Sequence, residues 1–422
     1  MSSINAGDTA WVLMSGALVL FMTPGLAIFY GGMVRAKSTL NMMMMSFAAM
    51  GITTILWVLY AYSLTFGPDA GHGLLGNLHN IGLANTLDAV TGAPGHHIPE
   101  LAFVMFQLTF AIITVALLSG AIADRAKYSS WVLFVGVWIT LVYAPVAHWA
   151  FASQNGHGGW IVDRLHALDF AGGTVVEINS GAAALALAIV LGKREGFKRD
   201  PMRPHNMPLV LLGAGMLWFG WFGFNAGSAL SAGGLAATAM INTQIATAGA
   251  AMSWIAYERY HEGKATTLGA ASGAIAGAVA ITPACGFVTP LGALAIGLIG
   301  GVVSAYAVSR KYKFNYDDSL DVVGVHGVGG FVGMISVGLI ATTAVNKLGG
   351  NGLFIKGSAS LLEKQLIAAI SVAAFSFIAT YLIATIIQKT IGFRVRREIE
   401  LEGLDTTIHA ESAYDISSFT TR

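Results

Sequence analysis

The chain has 422 residues, of which 55% are hydrophobic and 11% charged, and its formal net charge is +1. Soluble domains carry about 25% charged residues, so a mean hydropathy of +0.67 excludes an ordinary soluble protein and points to a polytopic membrane protein. The near-zero charge gives no case for a nucleic-acid partner, and the single cysteine, Cys285, excludes an intrachain disulfide and a cysteine metal cluster.

A helix needs about 20 residues to cross the hydrocarbon core of a bilayer. Stretches free of Asp, Glu, Lys and Arg run 9–34, 38–68, 101–123, 128–162, 204–257, 265–309, 322–346 and 365–388. The first follows MSSINAGDTA, which has no basic n-region, so it reads as a retained span rather than a cleaved signal. The stretch 204–257 is too long for one helix and breaks at AGSALSAGG (226–234); 265–309 breaks likewise at TPACGFVTP (282–290). A further span at 172–192 surrounds Glu177. Eleven helices are therefore expected, in an all-α polytopic fold.

An odd number of spans puts the termini on opposite sides. Lys and Arg decide which is which. Alternate loops and the tail hold 19 of the 23 basic residues, and the other side holds only Arg164, Lys347, Lys356 and Lys364. The N-terminus is thus expected outside and the C-terminus in the cytoplasm, with a membrane domain at 1–391 and a cytoplasmic tail at 392–422. One long outer loop, 69–99, carries His72, His79, His96 and His97. Their spacing fits no tight metal motif, and they read as solvated loop residues. The mixed-charge tail, FRVRREIELEGLD, reads as a soluble docking segment; a basic juxtamembrane cluster can also touch anionic lipid.

Five stretches could carry chemistry. The first is DFAGGTVVEINS, Asp169–Ser180. Asp169 suits the N-cap of a helix, and Glu177 lies two turns inside the span with no cation nearby in sequence. A charge at that depth costs about 2.5–3.5 kcal/mol, which makes Glu177 a functional candidate; the alternative is a hydrogen-bonded Glu that locks helices together. The second is DVVGVHGVGG, Asp321–Gly330, where again an acid at a membrane edge precedes a Gly-interrupted segment with one ionisable residue, His326. Two such segments, one in each half of the chain, suggest an internal repeat with a binding path between the halves. The third is WFGFNAGSA, in which Trp221, Phe224 and Ser228 share a helix face. Such rings are ordinarily core, but in a channel they can hold a small cation, and Ser228 can accept a hydrogen bond from it. The fourth, FQLTF (Phe106–Phe110), means nothing beyond packing when taken alone. The fifth is Asp169 itself, whose charge would add negative potential at a pore mouth. No P-loop, HExxH, GxSxG or Rossmann pattern stands in a suitable context, so ATP-driven transport and enzyme activity are not expected.

DFAGGTVVEIN, GWFGFNAGSA, TPACG and DVVGVHGVGG, in that order over eleven spans, resemble the ammonium transporter family (Amt/Mep/Rh). The likeness runs from GGMVRAKS (31–38) to EGLDTTIHAESAY (402–414). It implies a homotrimer with one pore per subunit, in which the first five helices are related to the next five by an inverted pseudo-two-fold and a long eleventh helix follows. It implies uptake of ammonium, with methylammonium as an analogue, across the plasma (inner) membrane, without cofactor or metal. Phe110, Phe151 and Ser228 match the family's outer recruitment site, with Asp169 supporting it electrostatically. Phe110 and Phe224 match its phenyl gate, and Trp221 its pore wall. The tail resembles the segment that meets a PII-type regulator. Two departures stand out. Most members have a histidine pair in the pore; His326 matches the second, and Glu177 replaces the first. The family usually has Trp where YAPVAHWAF ends in Phe151, which predicts a weaker outer site unless Trp149 compensates. A receptor-like homologue that senses ammonium is the alternative reading.

Overall fold

The computed structural model describes residues 4–154 and 156–414. It is helical almost throughout. Among the described residues nine helices are long and apolar enough to cross a membrane. They are α1 (Ala6–Met33), α2 (Ala36–Phe66), α3 (Glu100–Ile122), α4 (Tyr128–Phe151), α5 (Gly173–Leu191), α6 (Met207–Gly227), α9 (Pro290–Phe314), α10 (Val323–Ile340) and α11 (Ala359–Thr390). Between α6 and α9 lie α7 (Gly234–His261), rich in Thr and Ala, and the shorter α8 (Thr267–Ile281). The breaks expected at 226–234 and 282–290 are the α6–α7 and α8–α9 turns.

The helices outrun the charge-free stretches. α9 continues through Arg310, Lys311 and Lys313, α7 through Glu258 and Arg259, and α11 begins before Glu363 and Lys364. Charged side chains at helix ends reach the interface, so a charge ends the apolar window without ending the helix. In the other direction, α4 stops at Phe151 rather than running on to 162. The all-α expectation needs one small correction: the loop 69–99 contains an antiparallel ribbon of β1 (Val90–Thr91) and β2 (Ile98–Pro99). That loop also pins the start of α1. His97 O accepts from Asn5 N at 2.8 Å, and His96 Nδ1 lies 2.8 Å from Asp8 Oδ2. His96 is exposed, as expected of a solvated loop residue, while one ring nitrogen meets that carboxylate. Its acid lies 88 positions away in sequence.

α5 and α10 run antiparallel and cross at Gly181 and Gly327. A Cβ on Gly181 would stand 2.2 Å from the Gly327 Cα. Backbones approach this closely only where both residues lack side chains. Gly181→Ala is expected to cost about 2–4 kcal/mol through overpacking and to cut the yield of folded protein severely. Gly215→Ala, where nothing lies within 4 Å of the added methyl, is expected to be neutral. Detergent-solubilised yield and thermal unfolding compare the two.

The loops at the end of the bundle that holds most Lys and Arg, here called the basic face, are tied together by buried ion pairs. Arg194 makes two side-chain bonds to Asp317, each 2.9 Å long, and lies 3.5 Å from Asp124, which also pairs with Arg35. Arg125 donates to Asp317 O and to Ser319 Oγ, both at 2.6 Å. The tail lies across this network. Val395 N donates to Arg125 O, Arg394 pairs with Glu400 at 2.7 Å, and Lys37 donates to Leu401 O. Glu400 belongs to a short helix, α12 (Arg397–Glu402), and is fully buried. Further along, both carboxylate oxygens of Asp405 accept from Leu40 and Asn41 amides at 2.9 Å, capping the regular part of α2. Residues 415–422 of the tail lie outside the described residues.

Candidate functional site

Glu177 and His326 meet at the centre of the bundle. They lie 149 positions apart, and Glu177 Oε2 is 2.7 Å from His326 Nδ1. Each stands about one turn inside its own helix, behind a capping carboxylate. Asp169 caps α5: Gly172 N, Gly173 N and Thr174 N donate to it at 2.9, 2.6 and 2.8 Å, and the Thr174 hydroxyl donates as well. The corresponding cap of α10 is Asp318, whose Oδ2 accepts from Val323 N at 2.7 Å. The sequence reading marked only Asp321 as the acid at this edge and assigned no cap. Asp321 instead pairs with Lys311 at 2.5 Å. Asp169 precedes Glu177, and Asp318 precedes His326, by the same eight positions. The two helices run antiparallel, so their caps sit at opposite ends of the bundle.

Glu177 is fully buried and His326 is 4% exposed. Gly330 makes room for the acid, since a Cβ there would lie 2.9 Å from the Glu177 Cβ. The second oxygen, Glu177 Oε1, has no hydrogen-bond partner among the described residues. Leaving a buried carboxylate oxygen unpaired costs about 1–3 kcal/mol. The pair lines a narrow cavity of about 20 Å³ whose other walls are almost wholly apolar, including Leu26, Ile113, Val176, Leu217 and Ile275. A free acceptor facing such a cavity suits a small hydrogen-bond donor.

Trp221 and Phe224 form the cavity wall on the α6 side. Trp221 is held by its indole N–H, which donates to Thr282 Oγ1 at 2.9 Å. Phe224 stacks on Phe110, with centroids 4.2 Å apart and planes 29° from parallel, so the two rings close this end of the cavity. Beyond the stack, the Phe151 ring stands 6.3 Å from Phe110 and perpendicular to it. Phe106, within the FQLTF stretch, packs edge-on to Phe110 at 4.9 Å and reaches Gly227, the neighbour of Ser228. Phe106 is thus a fourth ring of the cluster; i, i+4 spacing alone did not distinguish it from core. Ser228 donates its hydroxyl proton to Phe224 O at 2.8 Å, which leaves its oxygen lone pairs for another donor. Trp149 does not replace the missing indole. Its ring packs on Trp160 and Phe375, and its N–H donates to Leu74 O. Asp169 is also committed, because both its oxygens serve the start of α5.

At the other end, Met33 and Leu320 line both the cavity and a wide polar vestibule of about 610 Å³ on the basic face. Leu320 belongs to the strap 317–321 that Arg194, Arg125 and Lys311 hold down. Burial pushes the Asp318 carboxyl up to about 6, and Asp321 adds to the shift against the opposing pull of Lys311. Asp317 goes the other way. Burial alone would raise it, but the Arg194 bond and charge hold it at about 2. The linkage signs follow. A raised carboxyl stabilises the fold below the unfolded value of about 4, and that contribution is lost as pH rises through 6. The Asp317 contribution is present above about 4 and is lost as pH falls toward 2. Asp318→Asn keeps a cap acceptor for Val323 N and removes a charge that costs stability at neutral pH. It is expected to raise the unfolding temperature by about 2 °C at pH 7.5, with the gain shrinking at pH 5. Thermal unfolding at both pH values checks it.

The sequence profile of the Ammonium Transporter Family matches residues 10–414. An ammonium transporter of Mycobacterium tuberculosis is 54% identical over 98% of this chain and 91% of its own length. One from Bacillus subtilis is 49% identical over 98% of this chain and all of its own. Among solved structures, Saccharomyces cerevisiae Mep2 aligns with a TM-score of 0.86 at 32% identity, over 94% of this chain and 88% of that one. A structure described as a sensor Amt protein gives 0.86 at 29% identity, over 95% and 98%.

Proposed function

The chain belongs to the ammonium transporter family, and on that footing we propose that it takes up ammonium across the plasma (inner) membrane, through a pore in which Glu177 and His326 handle the proton or the charge. The observation that carries this reading is the pair itself, a 2.7 Å Glu–His contact in an otherwise apolar cavity closed by two stacked phenyl rings. Outside the gate, the faces of Phe110 and Phe151 and the lone pairs of Ser228 offset part of the cost of stripping water from ammonium. The partial positive end of α5 would repel a cation there, and the Asp169 carboxylate that caps it neutralises that field. Inside the gate, a cation enters a space that dissolves it poorly. The free Oε1 of Glu177 then offers it either a proton acceptor or a counter-charge. Potassium has the charge but no proton to give or hydrogen bond to donate, so it is excluded by chemistry rather than by size.

In this reading the chain crosses the membrane eleven times with its N-terminus outside, and the basic face is cytoplasmic. The first and second five helices form an inverted repeat, of which the matched caps of α5 and α10 are a local sign. The working unit is a homotrimer. The domain division is a membrane body at 1–391 and a regulatory tail at 392–422, and the vestibule beside the tail is where a PII-type regulator would block the exit. Sensing without transport is the second reading, favoured by the similarity to the sensor Amt structure and by the closed phenyl stack. Uptake of labelled methylammonium by cells lacking other ammonium transporters separates the two. Uptake that ammonium competes away and potassium does not supports transport. No uptake despite folded protein in the membrane supports sensing.

A further inference from the structure

His148 lies one turn before Phe151, at the end of α4, and is completely buried. Neither the pore nor the ring cluster accounts for it. Its Nδ1 lies 2.7 Å from Thr65 O. A carbonyl oxygen only accepts, so Nδ1 is the donor. Thr65 is in the last turn of α2, where helix carbonyls lack intrahelical partners, and the imidazole supplies one. The other ring nitrogen, Nε2, faces Asp69 Oδ1 at 3.4 Å, just past α2. Asp69 is fixed independently, since Oδ1 accepts from Gly71 N at 3.1 Å and Gly73 N at 2.8 Å, and Oδ2 lies 3.5 Å from Arg164. His148 thus joins the end of α4 to the end of α2 through one hydrogen bond, to Thr65 O, while Nε2 faces the Asp69 carboxylate without a hydrogen bond.

Phe151 is the last residue of α4, and the chain leaves helical geometry at Ala152, which has φ −82° and ψ 80°. Terminal helix turns fray unless something holds them. Two further ties fix the segment from the same side: Trp149 Nε1 donates to Leu74 O at 2.9 Å, and Trp160 N donates to Gly73 O at 3.0 Å. Both accept on the turn that Asp69 organises through Gly71 and Gly73. We propose that His148 is a positioning residue for the recruitment ring: by latching α4 to α2 through Thr65 and Asp69, it sets the perpendicular approach of Phe151 to Phe110. This rests on the reading of Phe151 as part of the ammonium-recruiting site. A phenyl ring holds a cation less strongly than an indole, so a site built from Phe depends more on where that ring is placed.

The test is the concentration dependence of methylammonium uptake into proteoliposomes containing the full chain, for wild type, Phe151→Leu, His148→Leu, His148→Asn and Asp69→Asn. His148→Leu and Asp69→Asn are expected to raise KM about five- to tenfold, as the loss of one buried polar contact would, with maximal uptake per folded protein unchanged. The double variant His148→Leu/Asp69→Asn is expected to be no worse than the stronger single one. His148→Asn is expected to fall between wild type and Leu, because its amide keeps a donor near Thr65 O. Phe151→Leu is expected to raise KM at least as much. A raised KM in Phe151→Leu with KM unmoved in the His148 and Asp69 variants overturns the latch and leaves the recruitment site standing. An unmoved KM in Phe151→Leu overturns the recruitment site, and the latch with it.

Discussion

Asp169→Ala is expected to leave little folded protein and under a tenth of wild-type uptake. The carboxylate satisfies three backbone amides and one hydroxyl at the start of α5, all in a part of the molecule that water reaches poorly. A lost N-cap costs about 0.5–2 kcal/mol in water-exposed helices. Here up to three amides would be left unpaired at about 1–3 kcal/mol each, so a total of about 3–5 kcal/mol is expected, a large share of the stability of most domains. Asp169→Asn separates the cap from the charge. Its one amide oxygen can still serve Gly172 and Gly173, but its amino group cannot accept from Thr174, so this variant is expected to fold with reduced stability. If its KM for methylammonium equals that of wild type, the charge of Asp169 plays no part in recruitment. A raised KM assigns it an electrostatic share. Yield, unfolding temperature and KM measured on both variants decide between these outcomes.

Glu177→Gln is expected to abolish ammonium-driven current at least tenfold while leaving the passage of ammonia. Gln has nearly the shape of Glu and keeps an oxygen to accept from His326 Nδ1, so the fold and the cavity are retained. What it lacks is an ionisable proton to hold or release. The substitution also replaces a buried carboxyl whose Oε1 is unpaired among the described residues, so stability is expected to hold or to rise. Glu177→Leu is the harsher control. It leaves His326 without its 2.7 Å partner, at a cost of about 1–3 kcal/mol, and would change packing as well as chemistry. Current and internal pH recorded together on Glu177→Gln show whether charge and nitrogen travel by the same group.

The spans were legible in the sequence because a bilayer imposes length and hydropathy together. The breaks at 226–234 and 282–290 fell where Gly and Pro clusters interrupt runs too long for one helix. Glu177 and His326 stood out for the same reason, as ionisable residues in apolar surroundings. The rest depends on contacts between distant segments. In DDSLD, residues 317–321, three acids compete, and composition does not tell that Asp317 takes Arg194, Asp321 takes Lys311 and Asp318 caps the helix. Counting back the eight positions that separate Asp169 from Glu177 would have picked Asp318. His148 looked like one more apolar-segment residue because its partners lie on α2 and the loop after it. His96 is exposed, as read, and what the sequence hid is its contact with Asp8, which comes from the first turn of α1. The ties between the tail and residues 35–41, 125–127 and 191–195 leave no periodic trace, since each uses a single side chain or backbone group.

The central claim is that this chain moves ammonium and that Glu177 carries its charge. The direct measurement is current across sealed proteoliposomes after an ammonium step, with a potassium step as control and with internal pH followed in parallel. The expected result is a saturable current with ammonium, none with potassium, and loss of the ammonium current in Glu177→Gln while ammonia-driven alkalinisation persists. An unchanged current in that variant would contradict the role given to Glu177. Neither current nor ammonia flux above protein-free vesicles in wild type would contradict transport itself.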